Sequence, residues 1–112
     1  MNGNRHDVRN YITKEGRIPF REWLKSLNDK KTQAIIQKRI DRLHLGNFGD
    51  HKQLADNVYE LRIHYGSGYR IYFGAWRKFI IILLCGGSKK GQRSDIQKAK
   101  EYFQQLKSQT HE

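Results

Sequence analysis

The chain has 112 residues, with 22 Lys and Arg against 11 Asp and Glu, a formal charge of +11 and a pI near 10.0. This length excludes a doubly wound nucleotide fold, a barrel enzyme, or two domains with a cleft between them. It fits one domain over 1–112, ordered from about 5 to 107, that buries roughly two-thirds of its unfolded surface. Aromatic residues make up 12%, too many for a disordered chain. A single cysteine, Cys85, excludes an internal disulfide and points to a reducing compartment. The first sixteen residues contain no apolar run fit for a signal segment. The longest apolar run, 79–85, is far short of the ~20 residues that span a bilayer. These features predict a soluble, cytoplasmic, basic domain. Its charge calls for a polyanionic partner. Nucleic acid comes first, with an acidic protein or an anionic membrane surface as alternatives.

Residues 5–13 read as a first strand, with Val8, Tyr11, Ile12 and Thr13 supplying strand-forming side chains. A turn at Gly16 leads to Pro19, which suits the first turn of a helix. Phe20, Trp23, Leu24 and Leu27 then form one apolar stripe. Asn28 is expected to end this helix and cap a second over 29–45, whose stripe is Ile36, Ile40 and Leu43. The two make a helical hairpin, with Lys30, Lys31, Lys38, Arg39 and Arg42 mostly on its outer faces. After a break at 46–50 the period changes to two. Strands are predicted over 58–65 and 69–73, joined through Gly66-Ser67-Gly68. A continuous apolar run at 79–85 predicts a central strand covered on both faces. A flexible loop at 86–91 follows. Ser94-Asp95-Ile96-Gln97 reads as a capping box opening a last helix with the stripe Ile96, Ala99, Phe103 and Leu106, frayed beyond Lys107. The fold class is therefore α+β, in the order β-αα-βββ-α. It is expected to be a two-layer domain with all helices on one face of an antiparallel sheet.

The register of the hairpin carries the functional argument. A loop over 65–67 sets His64 opposite Gly68, Arg62 opposite Arg70 and Glu60 opposite Tyr72. It leaves Tyr59, Leu61, Ile63, Tyr69, Ile71 and Phe73 together on the other face. A slip of one residue would break both faces. Two guanidiniums placed opposite each other repel. That placement suits an anion bound between them, or a carboxylate such as Glu60 that screens them. The bland alternative is a structural ion pair with Glu60 or Asp95.

Arg62, His64, Arg70, Tyr72, Lys89 and Lys90 form the one cluster with a plausible reaction. Arg and Lys can stabilise the added charge of a pentacoordinate phosphate, and His can carry a proton near neutral pH. Without a metal or cofactor, such a set can drive a ribose 2′-OH against its own phosphate, which makes RNA and not DNA the substrate. Gly86 and Gly91 have P-loop spacing, but Gln92-Arg93 stands where Lys-Ser/Thr is required. His6, His44, His51, His64 and His111 show no metal-binding spacing. Cys85 reads as a core residue. Tyr69, Tyr72, Phe73 and Trp76 can stack bases but also fit core or edge packing. Tyr102 sits beside the last helical stripe.

The run V-Y-E-L-R-I-H-Y-G-S-G-Y-R-I-Y-F-G (58–74), followed by I-I-I-L-L-C-G-G-S-K-K-G-Q (80–92) and S-D-I-Q-K-A (94–99), resembles the toxins of type II toxin–antitoxin systems. The nearest branch is the HigB and phage Gp49-like "addiction module killer protein" group of the RelE/ParE superfamily. P-F-R-E-W-L-K-S-L (19–27) matches as well, and the resemblance covers about 5–105. It implies a RelE-like fold and an endoribonuclease cutting mRNA on the ribosome, so that translation stops. It implies a small cognate antitoxin of the helix-turn-helix type as partner, and no membrane. Arg62 corresponds to the strand arginine that contacts the scissile phosphate. Arg70 corresponds to the arginine of the next strand, partly structural in role. Lys89, Lys90 and Arg93 fall in the basic active-site loop. RelE carries a tyrosine just after this loop where Asp95-Ile96-Gln97 stands here, so either His64, Lys90 or Tyr102 takes the proton-transfer role or the activity depends more on positioning by the ribosome. The catalytic set expected is Arg62, His64, Arg70 and Lys90. Lys89, Arg93, Tyr72, Lys38 and Arg42 are expected to contact RNA. ParE members share the fold and inhibit DNA gyrase, which is one alternative function; a plain RNA-binding module is the other.

Overall fold

In the computed structural model, which describes residues 5–110, the alternating segments build the middle of a five-stranded sheet. The elements in chain order are β1 (Asp7–Asn10), α1 (Pro19–Ser26), α2 (Lys30–His44), β2 (His51–Ala55), β3 (Val58–Ile63), β4 (Tyr69–Ala75), β5 (Ile80–Ser88), a 3₁₀ turn (Lys89–Gly91) and α3 (Gln92–Gln109). Spatially the strands run β1-β5-β4-β3-β2. β1 is parallel to β5 and every other pair is antiparallel, so the sheet is mixed.

Two expectations about the sheet need correction. β2 has no apolar alternation to announce it, since His51, Lys52 and Gln53 are exposed. It forms because the edge of β3 offers unpaired backbone groups and because Asn57, at φ 64, permits the tight return. The domain also has helices on both faces of the sheet, where two layers were expected. Ile81 and Leu83 face the core of Phe20, Ile36, Ile40, Leu43, Leu61, Ile63, Ile71 and Phe73 beneath α1 and α2. Ile82 and Leu84 face a second core with Tyr11, Val58, Tyr72, Cys85, Ala99 and Phe103 beneath α3. A strand that is apolar on both faces needs cover on both, and α3 supplies the second.

Glycines set how closely the helices approach. A Cβ on Gly86 would lie 2.2 Å from the Trp23 ring, and one on Gly74 would lie 2.5 Å from the Phe103 ring. A bulge between β4 and β5 pairs Tyr72 with Cys85 and Phe73 with Leu83, which leaves Leu84 as the extra residue.

Local boundaries also differ from expectation. Asp29, not Asn28, caps α2, its side chain accepting from the Lys31 N–H at 3.1 Å. α3 begins at Gln92 behind Gly91, so Ser94 forms no capping box, and the helix continues to Gln109. Gly86, Gly87 and Ser88 belong to β5 rather than a loop, because β4 pairs with them as far as Tyr69↔Ser88.

Candidate functional site

β3 and β4 bring Arg62 directly opposite Arg70, and Glu60 opposite Tyr72. The expected register holds, with pairing ending at Ile63↔Tyr69 and the connection spanning 64–68 in place of 65–67. All four residues lie on the face that the start of α3 approaches.

Glu60 is fully buried, and burial of a carboxylate is costly unless it is paired and hydrogen-bonded. Arg62 Nε donates to its Oε2 at 2.8 Å. Gln92 Nε2 donates to its Oε1 at 3.0 Å, and Arg70 Nε stands 3.6 Å from the same oxygen. One buried anion thus screens two guanidiniums. The hydrogen bond that Arg62 donates to Glu60 raises the Arg62 pKa further above its usual value. The Arg62 side chain is 33% exposed and that of Arg70 14%. Arg62 therefore presents the more accessible guanidinium, and Arg70 supports it from behind. Asp95, the other carboxylate considered for this role, sits over Gly87 instead, and burial pushes its pKa up.

A cleft of ≈ 350 Å³ opens beside this pair, lined by Arg62, His64, Ser67, Tyr69, Arg70 and Lys89 among others. A second recess is lined by Ser67, Ser88, Lys89 and Lys90 and shares Ser67 and Lys89 with the first. Lys89 N–H donates to Gly68 O at 3.4 Å, tying the 3₁₀ turn to the hairpin. His64 lies just beyond β3, with its side chain 76% exposed. Its Nε2 contacts Asp50 Oδ2 at 2.6 Å. The His64 contact, reinforced by Arg62 and Arg39, holds the Asp50 carboxyl below the usual carboxylate range. Because a carboxylate accepts, this contact places a proton on Nε2 and leaves Nδ1 as the open ring nitrogen in neutral His64.

The remaining expected residues separate. Tyr72 is in the core at 0% exposure, so it is not an RNA-stacking residue; its burial, with Glu60 and Asp95 nearby, pushes the phenol pKa up. Arg93 is exposed on the first turn of α3 and lines neither recess. Lys38 and Arg42 are exposed on α2, away from the cleft lining. Tyr102 packs on Tyr11 at 5.2 Å between ring centres. Burial pushes the Cys85 thiol up to about 12, in keeping with a core residue. His111 lies outside the described residues.

The sequence matches the model of the family described as "Phage derived protein Gp49-like (DUF891)" over residues 22–106. The chain belongs to this family. The Gp49-like family is associated with the toxins of toxin–antitoxin systems. A protein of Haemophilus influenzae, named only as an uncharacterized protein, is 45% identical over 89 residues, covering 80% of this chain and 90% of the relative. The matched segment of this Gp49-like chain contains both arginines, the 3₁₀ turn and Gln92.

Three contributors escaped the sequence reading. Asp50 comes beside His64 because β2 pairs His51 with Leu61, so an unseen strand hid it. Gln92 reaches Glu60 because α3 starts two residues before the apparent capping box. Arg39 turns inward from α2, with Nη1 donating to Arg62 O at 2.6 Å and Nη2 to Phe48 O at 3.2 Å, which fixes the backbone under Arg62. Its place beside Ile36 and Leu43 on the helical wheel is the signal that could have singled it out. Among the described residues, no three His, Cys, Asp or Glu side chains gather to hold a metal ion. No helix among them is long and apolar enough to cross a membrane.

Proposed function

We propose that this Gp49-like protein is the toxin of a type II toxin–antitoxin system, with a RelE-like endoribonuclease activity that cuts mRNA on the ribosome and halts translation. The observation that carries this reading is the opposed arginine pair, screened by one buried carboxylate and open to a basic cleft. Such a pair retains net positive charge toward the cleft, where a phosphodiester gains negative charge as it becomes pentacoordinate.

The proposed reaction needs no metal. The ribose 2′-OH attacks the adjacent phosphorus as the P–O5′ bond breaks. His64 Nδ1 accepts the 2′-OH proton, while Asp50 holds the ring and stabilises the imidazolium. Arg62, backed by Arg70, stabilises the phosphorane with Lys89. Lys90 delivers a proton to the departing 5′ oxygen. The products are a 2′,3′-cyclic phosphate and a 5′-hydroxyl. Lys38, Arg42 and Arg93 add sequence-independent attraction to ribosomal or messenger RNA. A helix-turn-helix antitoxin with an acidic surface is the proposed partner, in the cytoplasm.

The test is expression without antitoxin. The expected outcome is rapid loss of protein synthesis with cleaved mRNA, relieved by Arg62→Ala in a soluble, folded protein. Undiminished arrest by folded Arg62→Ala contradicts the proposed site. Gyrase-linked DNA breaks with intact mRNA would instead assign the ParE-type function.

A further inference from the structure

We infer that Glu60 is a positioning residue and that Gln92 is the strut joining it to the basic turn; this inference rests on the ribonuclease reading above. Glu60 touches no solvent and lies beneath the cleft, so it does not meet RNA itself. Its two oxygens are divided. Oε2 takes Arg62 Nε, and Oε1 faces both Gln92 Nε2 and Arg70 Nε. Holding Nε leaves the two terminal nitrogens of Arg62 as the groups available to a phosphate, and it fixes the plane in which they are offered.

Gln92 is the first residue of α3 and directly follows the 3₁₀ turn that carries Lys89 and Lys90. Its hydrogen bond to Glu60, together with that from Lys89 N–H to Gly68 O, sets the lysine-bearing turn against the arginine-bearing sheet. Arg70 Nε and the Tyr72 hydroxyl, both buried beside Glu60, have no hydrogen-bond partner among the described residues. The carboxylate is consequently the main polar anchor at this point of the interior. Its charge also reduces the attraction of the arginine pair for RNA. Glu60 thus trades ground-state affinity for orientation, which is useful only where the geometry of the transition state matters.

The experiment uses the full chain with ribosomes programmed with a defined mRNA. The same mRNA carrying 2′-deoxyriboses serves as a non-cleavable binding probe. Single-turnover cleavage, probe affinity and melting temperature are measured for the wild type, Glu60→Gln, Gln92→Ala and Arg62→Ala. Glu60→Gln is expected to bind the probe as tightly as wild type or more tightly, and to cleave ~30–100-fold more slowly. Gln92→Ala, which leaves the Arg62–Glu60 bond in place, is expected to cleave ~3–10-fold more slowly with unchanged affinity. Loss of binding in parallel with cleavage and melting temperature, or wild-type cleavage by both variants, overturns the positioning role while an inactive Arg62→Ala keeps the ribonuclease reading. If Glu60→Gln does not fold, Gln92→Ala decides the matter by the same split. Wild-type cleavage by folded Arg62→Ala, or an uncut mRNA with the wild type, overturns the reading and the inference together.

Discussion

On α2, Lys38 and Arg42 stand in solvent, and among the described residues their side chains make no hydrogen bond or ion pair. On β3 and β4, Arg62 and Arg70 face each other over a carboxylate that has no exposed surface. Each pair supplies two positive charges, yet the physical situations differ. The α2 pair is exposed, screened by salt and able to attract any polyanion. The sheet pair is fixed by a buried acceptor, by Gln92 and, through the backbone, by Arg39. A net charge of +11 is therefore a poor guide to the site. The charges suited to transition-state chemistry are the few whose positions the fold over-determines.

This contrast can be broken first at Glu60. Glu60→Ala leaves two guanidiniums facing each other with no anion between them, and it should cost about 3–5 kcal/mol in chemical denaturation. Alanine at Lys38 or Arg42 should stay within about 0.5 kcal/mol of wild type. Second in size is the effect of Arg62→Ala, which should slow mRNA cleavage by about 10²–10³-fold and also lower the melting temperature, because the buried Glu60 Oε2 loses its donor. Gly86→Ala probes the packing of α1 on the sheet. The Trp23 ring must shift to admit the new methyl, and thermal unfolding should report a loss of about 1–3 kcal/mol. The double substitution Lys38→Ala with Arg42→Ala should lower the salt dependence of RNA binding by about two phosphate contacts, while single-turnover cleavage at saturation is preserved.

The smallest effect concerns pH. His64, Arg62 and Arg39 depress the Asp50 pKa in the folded protein, so folding binds fewer protons at this residue than the unfolded chain does. The resulting stabilisation is present above the unfolded value of about 3.9 and is lost as pH falls through the lower folded value. Asp50→Asn should therefore lower the melting temperature slightly at pH 6. The difference from wild type should vanish once pH has fallen below the folded value. A difference that persists there would mean that the contact acts through shape and not through charge.

The hairpin register was legible because period-two alternation leaves one consistent pairing, and a slip would have put Ile71 with Arg62. The interior place of β5, between β1 and β4, was legible in its unbroken apolar run, although β4 and not β5 is the middle strand. The same run also implied cover on both faces, and only the assembled sheet identified α3 as the second cover. β2 left no periodic trace, because an edge strand draws on its neighbour's backbone more than on its own side chains. Within the site, the arginine pair and Glu60 followed from register. Asp50 and Gln92 did not, since each reaches the site through an element boundary that local sequence misplaces. Tyr72 alternates with Arg70 along the same polar-facing row, but α3 buries that end of the face and removes it from solvent.

The most direct test of the central claim is to map mRNA ends on programmed ribosomes incubated with the purified protein. Internal cuts bearing a 2′,3′-cyclic phosphate and a 5′-hydroxyl are expected. These cuts should disappear with Arg62→Ala and with a 2′-deoxyribose at the scissile position. Intact mRNA, or cuts that persist with the 2′-deoxyribose in place, would contradict the claim.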